Sequence, residues 1–151
     1  MDQDIPSFGR FAGRVHLLPA RIYYEDTDFT GLVYHANYLR FFERGRSDFL
    51  RAAGVDHTAL AAQDTAITLL EISVKFRKAA HIDDALVVQT QFDRIVGARV
   101  LVSQSIRRGG DLLAEADVQA CCISMTGRAK RAPLLLVDKL KPYLDTQPSM
   151  F

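Results

Sequence analysis

The densest cluster of reactive side chains in this sequence lies in residues 24–35, which include two aspartates, two tyrosines and a histidine. A carboxylate beside a carbonyl carbon can attack that carbon or deprotonate a water molecule. The first N–H groups of a helix lack backbone acceptors and carry partial positive charge, so they can hold the oxyanion of an attacked carbonyl. The cluster therefore contains the groups that acyl transfer to water requires, without a metal ion.

A strand before the cluster and a long helix after it are predicted to position these groups. Residues 15–25 are interpreted as extended, and Pro19 indicates an edge or a bend in that strand. Residues 26–31 are rich in turn formers, and residues 35–53 then follow a helical period. One face of this helix is expected to be apolar and comprises Tyr38, Phe42, Gly45, Phe49 and Ala52. Its glycine predicts close contact with another backbone, because glycine costs a helix about 1 kcal/mol relative to alanine.

Alternating apolar and polar residues predict four antiparallel strands after the helix. These strands span residues 67–78, 86–96, 98–107 and 112–125. Gly109-Gly110 indicates a hairpin turn between the last two strands. Residues 56–66 are interpreted as a short helical turn and residues 136–144 as a short amphipathic helix. The resulting order, β-α-β-β-β-β, predicts an α+β fold in which one long helix covers one face of the sheet.

The first of these four strands is expected to present Leu70, Ile72, Val74 and Phe76 on one half-buried face. A single helix leaves the other sheet face and the sheet edges uncovered, and uncovered edges favour pairing with another chain. The sequence therefore predicts a homodimer or a homotetramer, joined by sheet edges or by helix packing.

The composition indicates one ordered domain, because 151 residues with 48% hydrophobic and 25% charged residues suffice for a buried core. We expect a flexible N-terminal arm over residues 1–13 and a single domain over residues 14–151. A formal net charge of +1 gives no electrostatic indication of nucleic-acid binding. No apolar stretch is long enough to span a bilayer, so peripheral contact with a membrane would require a partner protein.

Cys121 and Cys122 are adjacent, and adjacent strand residues point to opposite faces, so no disulfide is expected between them. Two cysteines cannot by themselves build a structural zinc site. Residues 1–13 lack a continuous apolar segment, so no signal peptide is predicted. These features together predict a reduced, cytoplasmic protein without a bound metal.

Residues 23–46 read YYEDTDFTGLVYHANYLRFFERGR, and this string resembles the 4-hydroxybenzoyl-CoA thioesterase family of hotdog proteins nearly position by position. Within that family it looks most similar to the Tol-Pal-associated acyl-CoA thioesterases. The predicted order of elements also fits the family over about residues 20–131. The resemblance implies a hotdog fold, in which an antiparallel sheet wraps around one long central helix. It also implies an acyl-CoA thioesterase that needs no metal or redox cofactor.

The same resemblance implies roles for individual residues. Asp28 matches the family's catalytic carboxylate, which either attacks the carbonyl to form a mixed anhydride or activates water. His35 lies at the helix start, where a backbone N–H polarises the thioester carbonyl, and with Tyr34 it forms the expected oxyanion site. Tyr24 lines the same pocket in similar proteins, or else it is an ordinary strand aromatic. Asp26 is expected to hold the loop by accepting hydrogen bonds from backbone N–H groups.

Arg128, Lys130 and Arg131 follow the last predicted strand. In similar proteins basic residues in this region meet the CoA phosphates, and charged donors suit phosphate oxygens. A basic tail without a ligand is the alternative interpretation. The pocket is expected at a dimer interface, so residues of a partner chain are expected to complete it.

Two other functions are compatible with parts of the pattern. Residues 26–30 fit D-x-D-x-T, the nucleophile loop of haloacid-dehalogenase-like phosphatases, and residues 83–84 resemble that family's later magnesium carboxylates. That fold requires alternating βαβ units, for which four consecutive strands leave no room. The second alternative is a non-catalytic hotdog module that binds an acyl group, and the presence of Asp28 argues against it.

Overall fold

One antiparallel sheet dominates the computed structural model, which describes residues 9–145. Its strands are β1 (Arg10–Ala12), β2 (Val15–Arg21), β3 (Ala66–Phe76), β4 (Ala85–Val96), β5 (Arg99–Arg108) and β6 (Asp111–Ile123). They lie in the order β1-β2-β4-β5-β6-β3. The helices are α1 (His35–Ala52), α2 (His57–Ala62) and α3 (Leu134–Leu140). The run of strands after one long helix confirms the predicted α+β fold.

The amino-terminal part of the chain differs from the sequence interpretation. Residues 10–12 form β1 and pair with β2, so this part of the expected arm belongs to the sheet. Residues 1–8 of that arm lie outside the described residues. Strand β2 ends at Arg21, short of the predicted end, and Tyr24–Asp26 form a 3-10 turn instead. Pro19 lies beyond the reach of β1, where β2 pairs with β4 alone, as an edge position requires.

Helix α1 lies across the sheet and packs on β2, β4 and β5. Its residues Tyr38, Phe42, Gly45 and Phe49 are buried, as the helical period predicts. Ala52, the fifth member of the predicted face, is exposed at the last residue of the helix. The core extends on both sides of this face, because Phe41 and Leu50 are also buried.

The glycine on the buried face of α1 allows the helix to approach β4 closely. A Cβ atom on Gly45 would lie 2.7 Å from Thr90 Oγ1 and 2.8 Å from Val88 Cγ1. These separations are shorter than carbon atoms tolerate, so any side chain would push the helix away from the strand. The glycine therefore lies close to a strand, but the atoms nearest to it belong to side chains and not to the backbone that the sequence predicted.

A buried polar network joins α1 to the sheet beside this glycine. Gln104 Nε2 donates to the Phe42 carbonyl (2.8 Å) and to Thr90 Oγ1 (2.9 Å). Arg46 Nη1 donates to Gln104 Oε1 (2.9 Å), and burial lowers the pKa of the Arg46 guanidinium. We call Gly45, Thr90, Gln104 and Arg46 the helix–sheet seam.

Strand β3 is the edge strand opposite β1 and, within residues 9–145, pairs only with β6. A β-bulge between Leu69 and Glu71 changes which of its residues share a face. Leu69, not Leu70, lies on the face of Ile72, because the β6 partners of Leu69 and Ile72 are both buried. The expected alternation is therefore wrong at Leu70. Helix α1 covers this face only in part: the Tyr38 ring packs edge-on against Phe76 at 5.3 Å, while Leu69 and Phe76 remain 48% and 51% exposed.

Aromatic rings join the amino-terminal strand to the end of the described chain. Phe11 of β1 stacks on Tyr143 with ring centroids 4.1 Å apart, and it packs edge-on against Phe49 at 5.0 Å. Residues 136–144, predicted as one short helix, comprise most of α3 followed by a 3-10 turn, Lys141–Tyr143. The two ends of the described chain therefore meet at the carboxyl-terminal half of α1.

Candidate active site

Asp28 lies in a short loop between the 3-10 turn and α1. Its backbone N–H donates to the Leu32 carbonyl (3.0 Å), and the Gly31 N–H donates back to the Asp28 carbonyl (3.1 Å). Thr27 and Val33 form an antiparallel bridge that closes the loop. Gly31 has a φ of +82°, a left-handed conformation that glycine adopts without strain. The Asp28 loop, residues 27–33, therefore follows a defined backbone path.

The exposed carboxylate of Asp28 is oriented by Thr30. Asp28 Oδ1 accepts from the Thr30 backbone N–H (2.8 Å) and from the Thr30 hydroxyl. These bonds, above all the one from the hydroxyl, lower the pKa of Asp28. No donor within residues 9–145 bonds Asp28 Oδ2. Asp28 is therefore an anion at neutral pH, with one oxygen held and the other open to a substrate.

Asp26 holds the backbone that leads into the helix. Its Oδ2 accepts from the Tyr23 N–H (2.8 Å). Its carbonyl accepts from the Tyr34 N–H (3.2 Å) and from Asn37 Nδ2 (2.8 Å). These bonds confirm the loop-holding role expected for Asp26, and they fix the position of the loop relative to the first turn of α1.

Helix α1 begins at His35, with Tyr34 as its N-cap residue and without a side-chain capping bond. The Tyr34 carbonyl accepts from the Asn37 N–H (2.8 Å). No acceptor within residues 9–145 bonds the backbone N–H groups of His35 and Ala36. The His35 imidazole is exposed, and its ring centroid lies 4.4 Å from that of Tyr34. Two backbone donors at a helix start can hold a carbonyl oxygen as it gains negative charge.

A cavity of about 270 Å³ lies beside this helix start. His35 and Tyr38 line it from α1, and Phe76, Arg77 and Lys78 line it from the end of β3 and the residues that follow. The lining thus combines aromatic rings with two cationic side chains. Such a surface suits an apolar group attached to an anionic one.

The sequence-predicted residues differ in how near the structure brings them to this cavity. His35 lines it, whereas Asp28, Tyr34 and Tyr24 do not. Tyr24 lies in the 3-10 turn with its side chain 82% exposed, and its carbonyl accepts from the Thr27 hydroxyl (2.8 Å). The alternative interpretation of Tyr24 as a strand aromatic is therefore wrong.

The basic residues that follow β6 lie near the start of β3, whereas the cavity lies at its end. Lys130 Nζ donates to the carbonyls of Gln63 (2.8 Å) and Asp64 (3.1 Å), beside the end of α2. Arg128 and Arg131 are exposed. The side chain of Lys130 thus binds the backbone of its own chain, a role that the sequence interpretation did not include.

The length of β3 separates these basic residues from the helix start. Ala66, the first residue of β3, pairs with Ile123 at the end of β6, whereas Phe76, the last, lines the cavity. Ten steps along a strand cover roughly 33 Å. Within one chain, the structure therefore does not bring residues 128–131 to Asp28.

The sequence interpretation missed two groups that support the site. Thr30 orients Asp28, and the Asp-x-Thr spacing was a usable signal, because such residues form local side-chain turns. Ala80 joins the loop to α1: its carbonyl accepts from the Val33 N–H (2.9 Å), and its N–H donates to the Tyr38 hydroxyl (3.0 Å). Burial of that hydroxyl raises the pKa of Tyr38. No sequence pattern marks Ala80.

The antiparallel sheet excludes the phosphatase alternative, because that fold needs βαβ units and all strand pairs among residues 9–145 are antiparallel. Asp84, one of its supposed magnesium ligands, instead pairs with Arg108 at 2.7 Å. The described residues contain no group of three or more His, Cys, Asp or Glu that could hold a metal ion. No helix in this part of the chain has the length and apolar character needed to cross a bilayer.

Known proteins match this chain over most of its length. The model of the thioesterase-like superfamily matches residues 23–142. The chain is 39% identical over 124 residues to the acyl-CoA thioesterase YbgC of Haemophilus influenzae, covering 82% of this chain and 89% of that protein. It is 36% identical to the acyl-CoA thioester hydrolase YbgC of Escherichia coli O157:H7, covering 82% and 93%. The crystal structure of a probable thioesterase from Bartonella henselae superposes with a TM-score of 0.75 at 40% identity, covering 79% and 99%.

Proposed function

Because the chain belongs to the thioesterase-like superfamily and has the predicted hotdog architecture, we propose that it hydrolyses acyl-CoA thioesters to a carboxylic acid and CoA. The observation that carries the proposed site is the ionised Asp28 carboxylate, fixed by Thr30 in the loop that leads into a helix start with two unoccupied N–H groups. An anion and two donors can act on opposite parts of one carbonyl, the carbon and the oxygen.

Each group has a distinct role in the proposed reaction. The thioester oxygen accepts from the His35 and Ala36 N–H groups, which stabilise it as the carbonyl carbon becomes tetrahedral. Asp28 acts as nucleophile or as general base. As nucleophile, its free oxygen forms a C–O bond, the C–S bond breaks, and CoA leaves as a thiolate; water then hydrolyses the mixed anhydride. As base, Asp28 takes a proton from the water that attacks the same carbon; the C–S bond then breaks and CoA leaves as a thiolate.

The proposal is tested by kinetics on short, long and aromatic acyl-CoAs. We expect Asp28→Asn to lose at least about 1,000-fold in kcat/KM, because the amide neither attacks nor deprotonates water. Asp56→Asn is the matched control: Asp56 is also exposed and also accepts from a backbone N–H two residues later (2.9 Å). Its activity should stay within about twofold of wild type. Wild-type activity in Asp28→Asn would remove Asp28 from the mechanism.

The non-catalytic module is a different proposal with a different outcome. It predicts that an acyl-CoA binds without turnover, so calorimetry would detect binding while free CoA stays constant. Release of CoA by the wild-type protein excludes it. If the protein binds acyl-CoAs but hydrolyses none of them, it is a binding module and not an enzyme.

We also propose that the active form is a homodimer or homotetramer joined through β3. Its edge is open within the described residues, and α1 leaves part of its apolar face exposed. Antiparallel pairing of two copies about the middle of β3 would set Ala66 of one copy opposite Phe76 of the other. The basic residues 128–131 of one copy would then approach the helix start of the other, where CoA phosphates need cations.

The β3 interface is tested by the mass of the protein in solution. Leu69→Lys should convert the oligomer to a monomer, because it places a charge on the exposed part of the apolar face of β3. Val96→Lys is the control, since Val96 is 54% exposed, close to the 48% of Leu69, but lies at the end of β4. Light scattering coupled to gel filtration gives the masses. A wild-type protein that is monomeric at micromolar concentration contradicts the interface.

A cytoplasmic location is proposed as well. Cys121 and Cys122 are buried and free, and burial raises the pKa of Cys122 to about 11. Thiols that pack in a core without forming a disulfide suit a reducing compartment. Any contact with a membrane is then proposed to be peripheral, through a partner. Cell fractionation with and without high salt distinguishes these locations.

A further inference from the structure

The Asp28 loop rests on residues 79–84, which lie between β3 and β4 and are called here the support segment. The Val33 N–H donates to the Ala80 carbonyl (2.9 Å), and the Ile82 N–H donates to the Gly31 carbonyl (3.4 Å). The residues between these two bonds form an antiparallel bridge. Because both bonds join backbone to backbone, movement of the support segment moves the loop that carries Asp28.

Arg108, the last residue of β5, binds both ends of the support segment. Its Nη1 donates to the Ala79 carbonyl (3.1 Å) and to Asp84 Oδ2 (2.7 Å). The same Asp84 oxygen accepts from the His81 N–H (2.8 Å), which closes a turn inside the segment. One guanidinium on the rigid sheet therefore fixes the start and the end of the segment that supports the loop.

Neighbouring ion pairs lack these backbone contacts. Arg77 with Glu115 (2.8 Å) and Lys78 with Asp111 (2.9 Å) join side chains only, and their cationic side chains are 50% and 57% exposed. Such exposed pairs contribute little to stability or geometry. The Arg108 side chain is only 29% exposed, so the contacts of this cation are better shielded from water.

We infer that Arg108 and Asp84 are positioning residues: they hold the support segment so that Asp28 keeps its place relative to the first N–H groups of α1. Neither residue lines the cavity beside the helix start. The kinetic consequence rests on the proposed thioester hydrolysis, whereas the structural consequence rests on hydrogen bonds alone. Misalignment of reacting groups lowers the rate of the chemical step and leaves most of the binding surface intact.

The kinetic test compares Arg108→Met, Arg108→Lys and Arg107→Met. Arg108→Met should lower kcat by roughly 10- to 100-fold while KM changes by less than about threefold. Arg108→Lys should recover part of the loss, since an ammonium can still donate to a carbonyl and a carboxylate. Arg107→Met is the control, because Arg107 is the adjacent residue and its Nε donates to Gln89 (3.2 Å) rather than to the support segment.

Amide hydrogen exchange tests the same inference without any substrate. In Arg108→Met the Val33 N–H should exchange at least about tenfold faster, because its acceptor on Ala80 is no longer held. Amides in the middle of β4 should keep their wild-type rates, and so should Val33 in the Arg107→Met control. Asp84→Asn should accelerate Val33 exchange too, and the double variant should add little to the larger single effect, since both residues act through one contact.

The possible outcomes separate the positioning role from the proposed reaction. Failure of the wild type to hydrolyse any acyl-CoA contradicts the reaction, and Val33 exchange then still decides the positioning role. Unchanged Val33 exchange in Arg108→Met and in Asp84→Asn overturns the positioning role, whatever happens to kcat. The positioning role is also overturned if Arg108→Met raises KM and lowers kcat by the same factor and Arg108→Lys recovers neither. If Arg108→Met does not fold, Asp84→Asn decides the question by the same two measurements.

Discussion

The helix–sheet seam and the Asp28 loop are held in place by different kinds of contact. At the seam, Gly45 and Gln104 are buried, and side chains from α1, β4 and β5 interlock. In the loop, the side chain of Asp28 is exposed, and backbone hydrogen bonds to the support segment set its path. The stability of the fold and the alignment of the candidate site therefore rest on separate sets of contacts. Each set should therefore respond to its own substitutions.

The largest loss of stability is expected at the seam, from Gly45→Val. The added carbons would overlap Thr90 and Val88 of β4, and overpacking in a tight core costs about 3 kcal/mol. The free energy of unfolding, measured by urea denaturation, should fall by about this amount. Gly110→Val is the control, because a Cβ atom on Gly110 meets no atom within 4 Å. Equal stability of the two variants would show that the close packing at Gly45 does not contribute to the stability of the fold.

A smaller loss of stability is expected from Gln104→Leu. Leucine keeps most of the volume of glutamine. It removes the hydrogen bonds that Gln104 makes with the Arg46 guanidinium and the Thr90 hydroxyl. An unsatisfied buried polar group costs about 1–3 kcal/mol. Gln91→Leu, on the opposite face of the sheet, should leave the free energy of unfolding within about 0.5 kcal/mol of wild type. If the comparison holds, kcat at temperatures well below the unfolding transition should not change in Gln104→Leu.

In the loop, Thr30→Val is expected to change catalysis and to leave the free energy of unfolding at its wild-type value. Asp28 reacts as a carboxylate, so activity is present above its pKa and is lost as the pH falls through it. The Thr30 hydroxyl lowers that pKa; its removal raises the pKa, and the acid limb of the kcat/KM profile should move to higher pH. At neutral pH the looser carboxylate should react roughly tenfold more slowly.

Thr30→Ser keeps the hydroxyl and serves as the control for this loop. Its acid limb should coincide with that of the wild type, and the melting temperatures of both variants should stay at the wild-type value. A fall in melting temperature that accompanies the loss of rate in Thr30→Val would mean that the loop contributes to the stability of the fold. The separation of the two regions would then be wrong.

The sequence was sufficient for elements that turn a regular face toward a core. Helix α1 and strands β3 to β6 were predicted to within two residues at every end, because burial imposes a helical or an alternating period. Gly45 was also correctly expected at a close contact, since glycine on an apolar helix face needs a physical reason. Asp26 was assigned to the loop because its side chain is short enough to bond nearby backbone groups.

Periodicity was insufficient wherever single backbone departures or distant contacts decide the structure. The bulge at Leu70 reverses the alternation with no change in composition, and β1 is too short to display a period. The support segment is irregular, so only its contacts in the folded chain reveal what it does. The distance between residues 128–131 and Asp28 depends on the pairing of β6 with β3, which no local pattern contains.

The order of strands in the sheet also sets an order of events as the chain leaves the ribosome. Strand β3 is made before β4 and β5, yet its partner within the described chain is β6, the last strand of the sheet. Until β6 emerges, the backbone of β3 has no neighbouring strand within the described chain. The nascent chain therefore passes through a stage in which its most association-prone strand is unprotected on both edges. Synthesis that slows between β3 and β6 should prolong that stage and increase the fraction of chains that aggregate.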